Sequence, residues 1–75
     1  MLEVVVATPE KVIFEGRAKR LILPGEKGVF EILSFHKPLI SRLISGKLII
    51  DQQAFLIRRG LVGVNLNKAT VIVEE

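Results

Sequence analysis

Nowhere in this chain do hydrophobic residues recur at helical spacing over the roughly 11 residues that an amphipathic helix requires. Apolar runs are instead short, and glycine, proline, serine or asparagine interrupts them about every 6 to 12 residues. A chain patterned this way has only sheets to build with. Its residue types agree: valine, isoleucine and threonine make up 20 of the 75 residues, and β-branched side chains pack well on a pleated surface while losing rotamer freedom in a helix.

Leu2 to Ala7 is the first run, stopped by Thr8-Pro9-Glu10, where proline removes a donor and drives Thr8 toward an extended conformation. Val12 to Glu15 is expected to end at Gly16, and Arg17 to Leu23 to follow as a third strand with Leu21 and Leu23 on one face. Pro24-Gly25-Glu26-Lys27-Gly28 is a turn into Val29 to Leu33. Ser34 to Pro38 reads as irregular, Leu39 to Leu43 as a short strand, Ser45-Gly46-Lys47 as a turn into Leu48-Ile49-Ile50, and Asp51-Gln52-Gln53 as a tight hairpin into Ala54 to Ile57. Arg58-Arg59-Gly60 marks a corner, Leu61 to Val64 the next strand, and Asn65 to Lys68 the turn into Ala69 to Val73. Eight to ten short strands in one domain over residues 1–75 predict an all-β fold, a β-sandwich or flattened barrel.

Size and composition narrow the function. A chain of 75 residues hides only roughly 60% of its unfolded surface on folding, which leaves a thin core and little room for a deep catalytic cleft. The absence of cysteine removes disulfide staples and thiolate metal cages and points to a reducing compartment. No uncharged stretch approaches the ~20 residues of a membrane-spanning helix, and Met1-Leu2-Glu3 lacks the basic and then apolar order of a signal peptide. The only histidine, His36, and the only aspartate, Asp51, stand 15 residues apart with no second histidine, so no metal is expected.

Two further chemistries can be weighed on the residues. Ser34 lies two positions before His36, on the same face of an extended segment, but no nearby acid orients the imidazole as a nucleophile's base requires. Hydrolysis through that pair predicts activity that is lost in His36→Ala. The glycines between Pro24 and Gly28 lead into a strand, not into the helix N-terminus that a phosphate loop uses, and no cofactor or small-molecule ligand is expected. The 11 Lys+Arg against 8 Asp+Glu, a net charge of +3, leave a nucleic-acid-binding alternative. It would use Arg17, Lys19, Arg20, Arg58 and Arg59 as phosphate contacts and predicts salt-dependent binding to any polyanion. Phe14, Phe30 and Phe55 sit inside apolar runs and read as core, leaving Phe35 as the one ring expected at the surface.

The order of residues carries more. Thr8-Pro9-Glu10-Lys11-Val12-Ile13-Phe14-Glu15-Gly16, then Lys19-Arg20-Leu21, Leu23-Pro24-Gly25 and Gly28, resembles the N-terminal domain of the epsilon subunit of the F-type rotary ATP synthase. His36-Lys37-Pro38-Leu39-Ile40, Gly60-Leu61-Val62-Gly63-Val64 and Asn67-Lys68-Ala69-Thr70-Val71 continue the resemblance in one register. The chain departs from the family at Ser34-Phe35, Ser45-Gly46 and Arg59-Gly60, which stand where the family has Pro-Gly, Pro-Gly and Gly-Gly.

The resemblance implies a ten-stranded β-sandwich that performs no catalysis itself. It implies a central-stalk protein that joins the gamma subunit to the c ring, with no nucleic acid as partner, held peripherally at the cytoplasmic face of a bacterial-type membrane. By position, Thr8, His36 and Ser41 match residues near gamma, and Glu26, Lys27, Gly28, Val29, Phe30 and Glu31 match the loop that meets the ring. Many family members carry a C-terminal pair of helices, and the expectation here, with Glu74-Glu75 directly after the last strand, is the sandwich without it. Apolar residues on both parities of Leu48-Ile49-Ile50 and Val71-Ile72-Val73 separately suggest more apolar surface than a one-sided sheet needs, as a docking role would.

Overall fold

The alternation of these runs becomes nine strands in the computed structural model, which describes residues 1–75 and contains no helix. They are β1 (Leu2–Ala7), β2 (Val12–Ala18), β3 (Arg20–Gly25), β4 (Gly28–Leu33), β5 (Leu39–Leu43), β6 (Gly46–Ile50), β7 (Gln53–Ile57), β8 (Arg59–Asn65) and β9 (Lys68–Glu74). They pair in the order β2-β1-β9-β8-β5-β3-β6-β7, with β4 added on β3. Only Gly25 opposite Leu43 joins β5 to β3, so the path divides there into a five-stranded sheet (β2-β1-β9-β8-β5) and a four-stranded one (β4-β3-β6-β7). This is the all-β sandwich that the strand spacing predicts.

Period-two patterning decides what lies between the sheets. In β9, Ala69, Val71 and Val73 are buried while Lys68, Thr70 and Ile72 are exposed. The core takes Leu2, Val4, Val6, Ala18, Leu43, Val62 and Val64 from the rest of the larger sheet, and Leu21, Leu23, Ile32, Leu48, Ile50 and Ile57 from the smaller. It holds no polar side chain. Phe14, Phe30 and Phe55 pack against it half-buried, and Phe35 is exposed, as their positions in the sequence predict.

The boundary between β2 and β3 departs furthest from the expectation, while β6, β7, β8 and β9 begin one or two residues earlier than expected. Gly16 does not end a strand: it pairs with Val4 inside β2, which continues to Ala18 opposite Leu2. The chain turns instead at Lys19, where the carboxylate oxygen Oδ1 of Asp51 accepts hydrogen bonds from the backbone N–H of Lys19 (2.9 Å) and of Arg20 (3.1 Å). Those donors would otherwise lack a partner at a corner. An acceptor more than thirty positions away in the chain therefore fixes the corner, and Asp51 itself sits at φ 53° in the two-residue loop between Ile50 and Gln53.

The loop between β8 and β9 is equally short, with Leu66 (φ 50°) and Asn67 (φ 60°) both left-handed between paired Asn65 and Lys68. Positive φ at both central residues is the requirement of a type I′ hairpin turn, which favours asparagine and glycine. Leucine pays the Cβ penalty there, and at 89% exposure it has almost no burial to offset it. Leu66→Asn is expected to raise stability by roughly 0.5–1 kcal/mol, read as a higher urea midpoint at unchanged slope; a lower midpoint would show that the leucine makes a favourable contact in the loop.

Candidate docking surface

The larger sheet carries an apolar patch on its outer face as well as the core residues on its inner one. Register aligns Arg42, Leu61, Ile72, Ala7 and Val12 in one row across all five strands, and Ile40, Gly63, Thr70, Val5 and Glu15 in the next. Ile40 is 86% exposed, Leu61 51% and Ile72 45%, and Val12 is exposed beside them. A solvated sheet face normally alternates to polar residues, so contiguous Ile40, Leu61, Ile72 and Val12 form a surface suited to burial against another protein. At Gly63 nothing lies within 4 Å of where a Cβ would be, which leaves a shallow depression between Ile40 and Thr70.

This face runs on to the β3–β4 hairpin. Gly25 pairs with Gly28, so the exposed tip is Glu26-Lys27, and Gly28 closes it at φ 126°, where a side chain is strained. A Cβ at Gly25 would lie 2.6 Å from the Phe30 ring, so the hairpin is held flat against that ring. A groove of about 400 Å³ connects the tip to the sheet, lined by Pro9, Glu26, Ile44, Arg59, Leu61 and Ile72 among others. Of the six residues that the family resemblance assigns to this loop, Glu26, Lys27, Gly28, Val29 and Glu31 are exposed and Phe30 is half-buried against the core.

The three residues matched to the other interface do not come together. Thr8 follows Ala7, which pairs with Ile72, and its side-chain oxygen accepts from Glu10 N–H (3.2 Å) and Lys11 N–H (3.1 Å), tying the Thr8-Pro9 turn at the end of the sheet that also holds Glu26. His36 belongs to the opposite end, beyond Leu39, which pairs with Val64. Its Nδ1–H donates to the Lys37 carbonyl at 2.7 Å, and its neighbour Phe35 donates its backbone N–H to Asn67 Oδ1 at 2.8 Å. Ser41 lies between the two ends, opposite buried Val62, so it takes the inward side of β5 and borders the seam toward Gly25 and Phe30.

Neither alternative chemistry gains a site. No hydrogen bond links His36 to Ser34, and no group of three His, Asp or Glu side chains converges anywhere in the chain. The basic residues are split: Arg17, Lys19 and Arg20 border the groove beside Asp51 at one end, while Arg59 stands at the other, its Nε donating to Glu74 Oε2 at 2.9 Å. No continuous basic stripe follows the fold as a nucleic-acid groove requires.

Ile40, Leu61 and Val12 were not legible as surface residues from the sequence. Alternation marked Ile72 as facing away from Val71 and Val73, but which neighbours share its face depends on the parallel pairing of β1 with β9, a contact between the two ends of the chain.

Comparison with known proteins adds to this geometry. The epsilon chain of the ATP synthase from Chlorobaculum tepidum is 36% identical over 75 residues, covering 93% of this chain and 85% of that protein. The corresponding chain of Nitratiruptor is 37% identical over 78 residues, covering 97% of this chain and 60% of its own length. A chain in the central stalk and c-ring structure of the Tetrahymena thermophila mitochondrial ATP synthase superimposes with a TM-score of 0.85 at 23% identity, covering 99% of this chain and 63% of that one, which establishes a shared fold. The family model for the ATP synthase delta/epsilon chain β-sandwich domain matches residues 1–75, and the chain belongs to that family.

Proposed function

We propose that the chain is a non-catalytic stalk subunit of an F-type ATP synthase, joining the gamma subunit to the c ring and so coupling ion transport to ATP synthesis. The observation that carries this reading is the continuity of two surfaces: the apolar row Leu61–Ile72 and Glu26 of the hairpin tip border one groove. In this reading the outer face of the larger sheet lies on gamma and the hairpin Glu26 to Glu31 rests on the ring. The subunit is then held at the cytoplasmic face of the membrane by the complex, and it has no helix long and apolar enough to cross a membrane. Thr8, beside the groove, would border both contacts; His36 would reach gamma from the far end of the sheet, and Ser41 from its edge.

The test is co-purification with the gamma subunit of the same genome at moderate salt. Burying two aliphatic side chains is worth roughly 1.5–3 kcal/mol each, so Leu61→Glu with Ile72→Glu is expected to weaken the complex at least tenfold (about 1.4 kcal/mol) while the isolated domain keeps its melting temperature. Unchanged affinity in the folded double variant would remove this face from the interface. Loss of binding in His36→Glu alone would move the contact to the opposite end.

A further inference from the structure

Eight of the nine strands carry a charged side chain, and β7, Gln53-Ala54-Phe55-Leu56-Ile57, carries none. It is also an end of the sheet path, with β6 as its only strand partner. A strand paired on one side leaves alternate N–H and C=O groups directed outward, and proteins ordinarily protect such an edge with charge, proline or a covering element. β7 has neither charge nor proline, and Leu56 stands 74% exposed on it.

The other end of the path is β2. Its Phe14 meets Phe55 of β7 edge to face, with ring centroids 6.5 Å apart at 64°, yet no ladder joins the two strands. The curled sheet therefore closes through side chains while the backbones stay unpaired. At the Gln53 end of β7 this seam opens into a groove of about 700 Å³, bordered by Arg17, Lys19, Arg20, Gln52 and Gln53 with Phe14 on its floor. Asp51 is the one acid lining it, and its Oδ1 is occupied by the backbone N–H groups of Lys19 and Arg20. Arg20 also reaches Glu31 at 3.8 Å, whereas Arg17 and Lys19 make no ion pair.

We propose that the free edge of β7 takes up an extended, acidic polypeptide segment as an added strand. Backbone pairing to Gln53–Ile57 supplies the attachment, and alternate side chains of the segment lie on Phe55 and Leu56, as in strand addition generally. Its carboxylates meet Arg17 and Lys19 at the open end of the groove, which sets direction and rejects basic segments. A second copy of this chain is a poor occupant. Each copy carries a net charge of +3 and would bring the same three cations to the junction. The site is separate from the outer face of the larger sheet and does not rest on the stalk assignment.

Hydrogen exchange on the full chain tests this, using as probe an end-blocked peptide of about ten residues alternating glutamate and valine, long enough to cover one strand. A peptide with lysine in place of glutamate is the control. The glutamate peptide is expected to slow exchange of β7 amides selectively, and its affinity to fall roughly tenfold in Arg17→Gln with Lys19→Gln. Leu56→Lys, an exposed change that leaves the core untouched, is expected to block the same protection. No slowing at saturating peptide, or equal slowing by the lysine peptide, overturns the proposal. So does protection of β7 that rises with protein concentration alone and vanishes in Leu56→Lys, because the occupant would then be a second copy.

Discussion

Gly60→Ala is expected to destabilise the domain by about 3 kcal/mol and to lower its thermal midpoint by roughly 10–25 °C. At Gly60 there is no room for a side chain between β8 and β9: a Cβ there would lie 2.5 Å from the carbonyl oxygen of Ile72 and 3.0 Å from Val73 Cγ1. The first atom belongs to the backbone of the paired strand, and Val73 is fully packed in the core, so neither can move aside without opening the ladder between Gly60 and Val73. Gly63, three residues along the same strand, has nothing within 4 Å of its Cβ direction. Gly63→Ala should therefore be neutral or stabilising by up to about 1 kcal/mol, since glycine in a strand carries an entropic cost. Calorimetry of the two variants separates close approach from mere flexibility. A Gly60→Ala domain that melts within a few degrees of the parent would show that β8 can shift freely against β9.

Asn67→Ala is expected to be the next most damaging change, at about 2–3 kcal/mol. This residue ties its turn to two distant segments: Nδ2 donates to the Met1 carbonyl at 2.7 Å, Oδ1 accepts from Phe35 N–H at 2.8 Å, and the backbone carbonyl accepts from Glu3 N–H at 3.1 Å. Alanine removes the two side-chain bonds and adds the penalty of a left-handed Cβ at φ 60°. Asn67→Gly removes the bonds without that penalty and should cost roughly 1 kcal/mol less. Amide exchange should quicken at Glu3 and Phe35 in both variants. If only the alanine variant is destabilised, turn geometry alone accounts for the asparagine and the ties contribute nothing.

The strands were legible because alternation is local: Val4 and Val6 inward against Glu3 outward, or Ala69-Val71-Val73 against Lys68-Thr70, can be read within a few residues. Corners were not. Gly16 looked like a terminator because glycine weakens strands in general, yet the chain turned at Lys19, where a carboxylate remote in sequence supplies the acceptor. The candidate surface was half legible. Apolar residues on both parities of β9 pointed to a second apolar face, but the row Leu61–Ile72–Ala7–Val12 exists only once four strands have found their register. The matched positions Thr8 and His36 came from residue order along the chain, which cannot reveal that the two occupy opposite ends of the sheet.

The parallel pairing of β1 with β9 also has a consequence for biosynthesis. β1 lies between β2 and β9 in the sheet, so a strand made before the other eight receives its second partner only when residues near Val71 have left the ribosome. At ordinary elongation rates that delay is about 3–15 s, far longer than a hairpin such as β1–β2 needs to form. During it, Leu2, Val4 and Val6 lie on a strand whose second edge is still open, and Ala69, Val71 and Val73 are missing from their core. Completion of the larger sheet therefore waits for β9, and a nascent chain arrested before that strand would present β1 with one edge unpaired to chaperones and proteases.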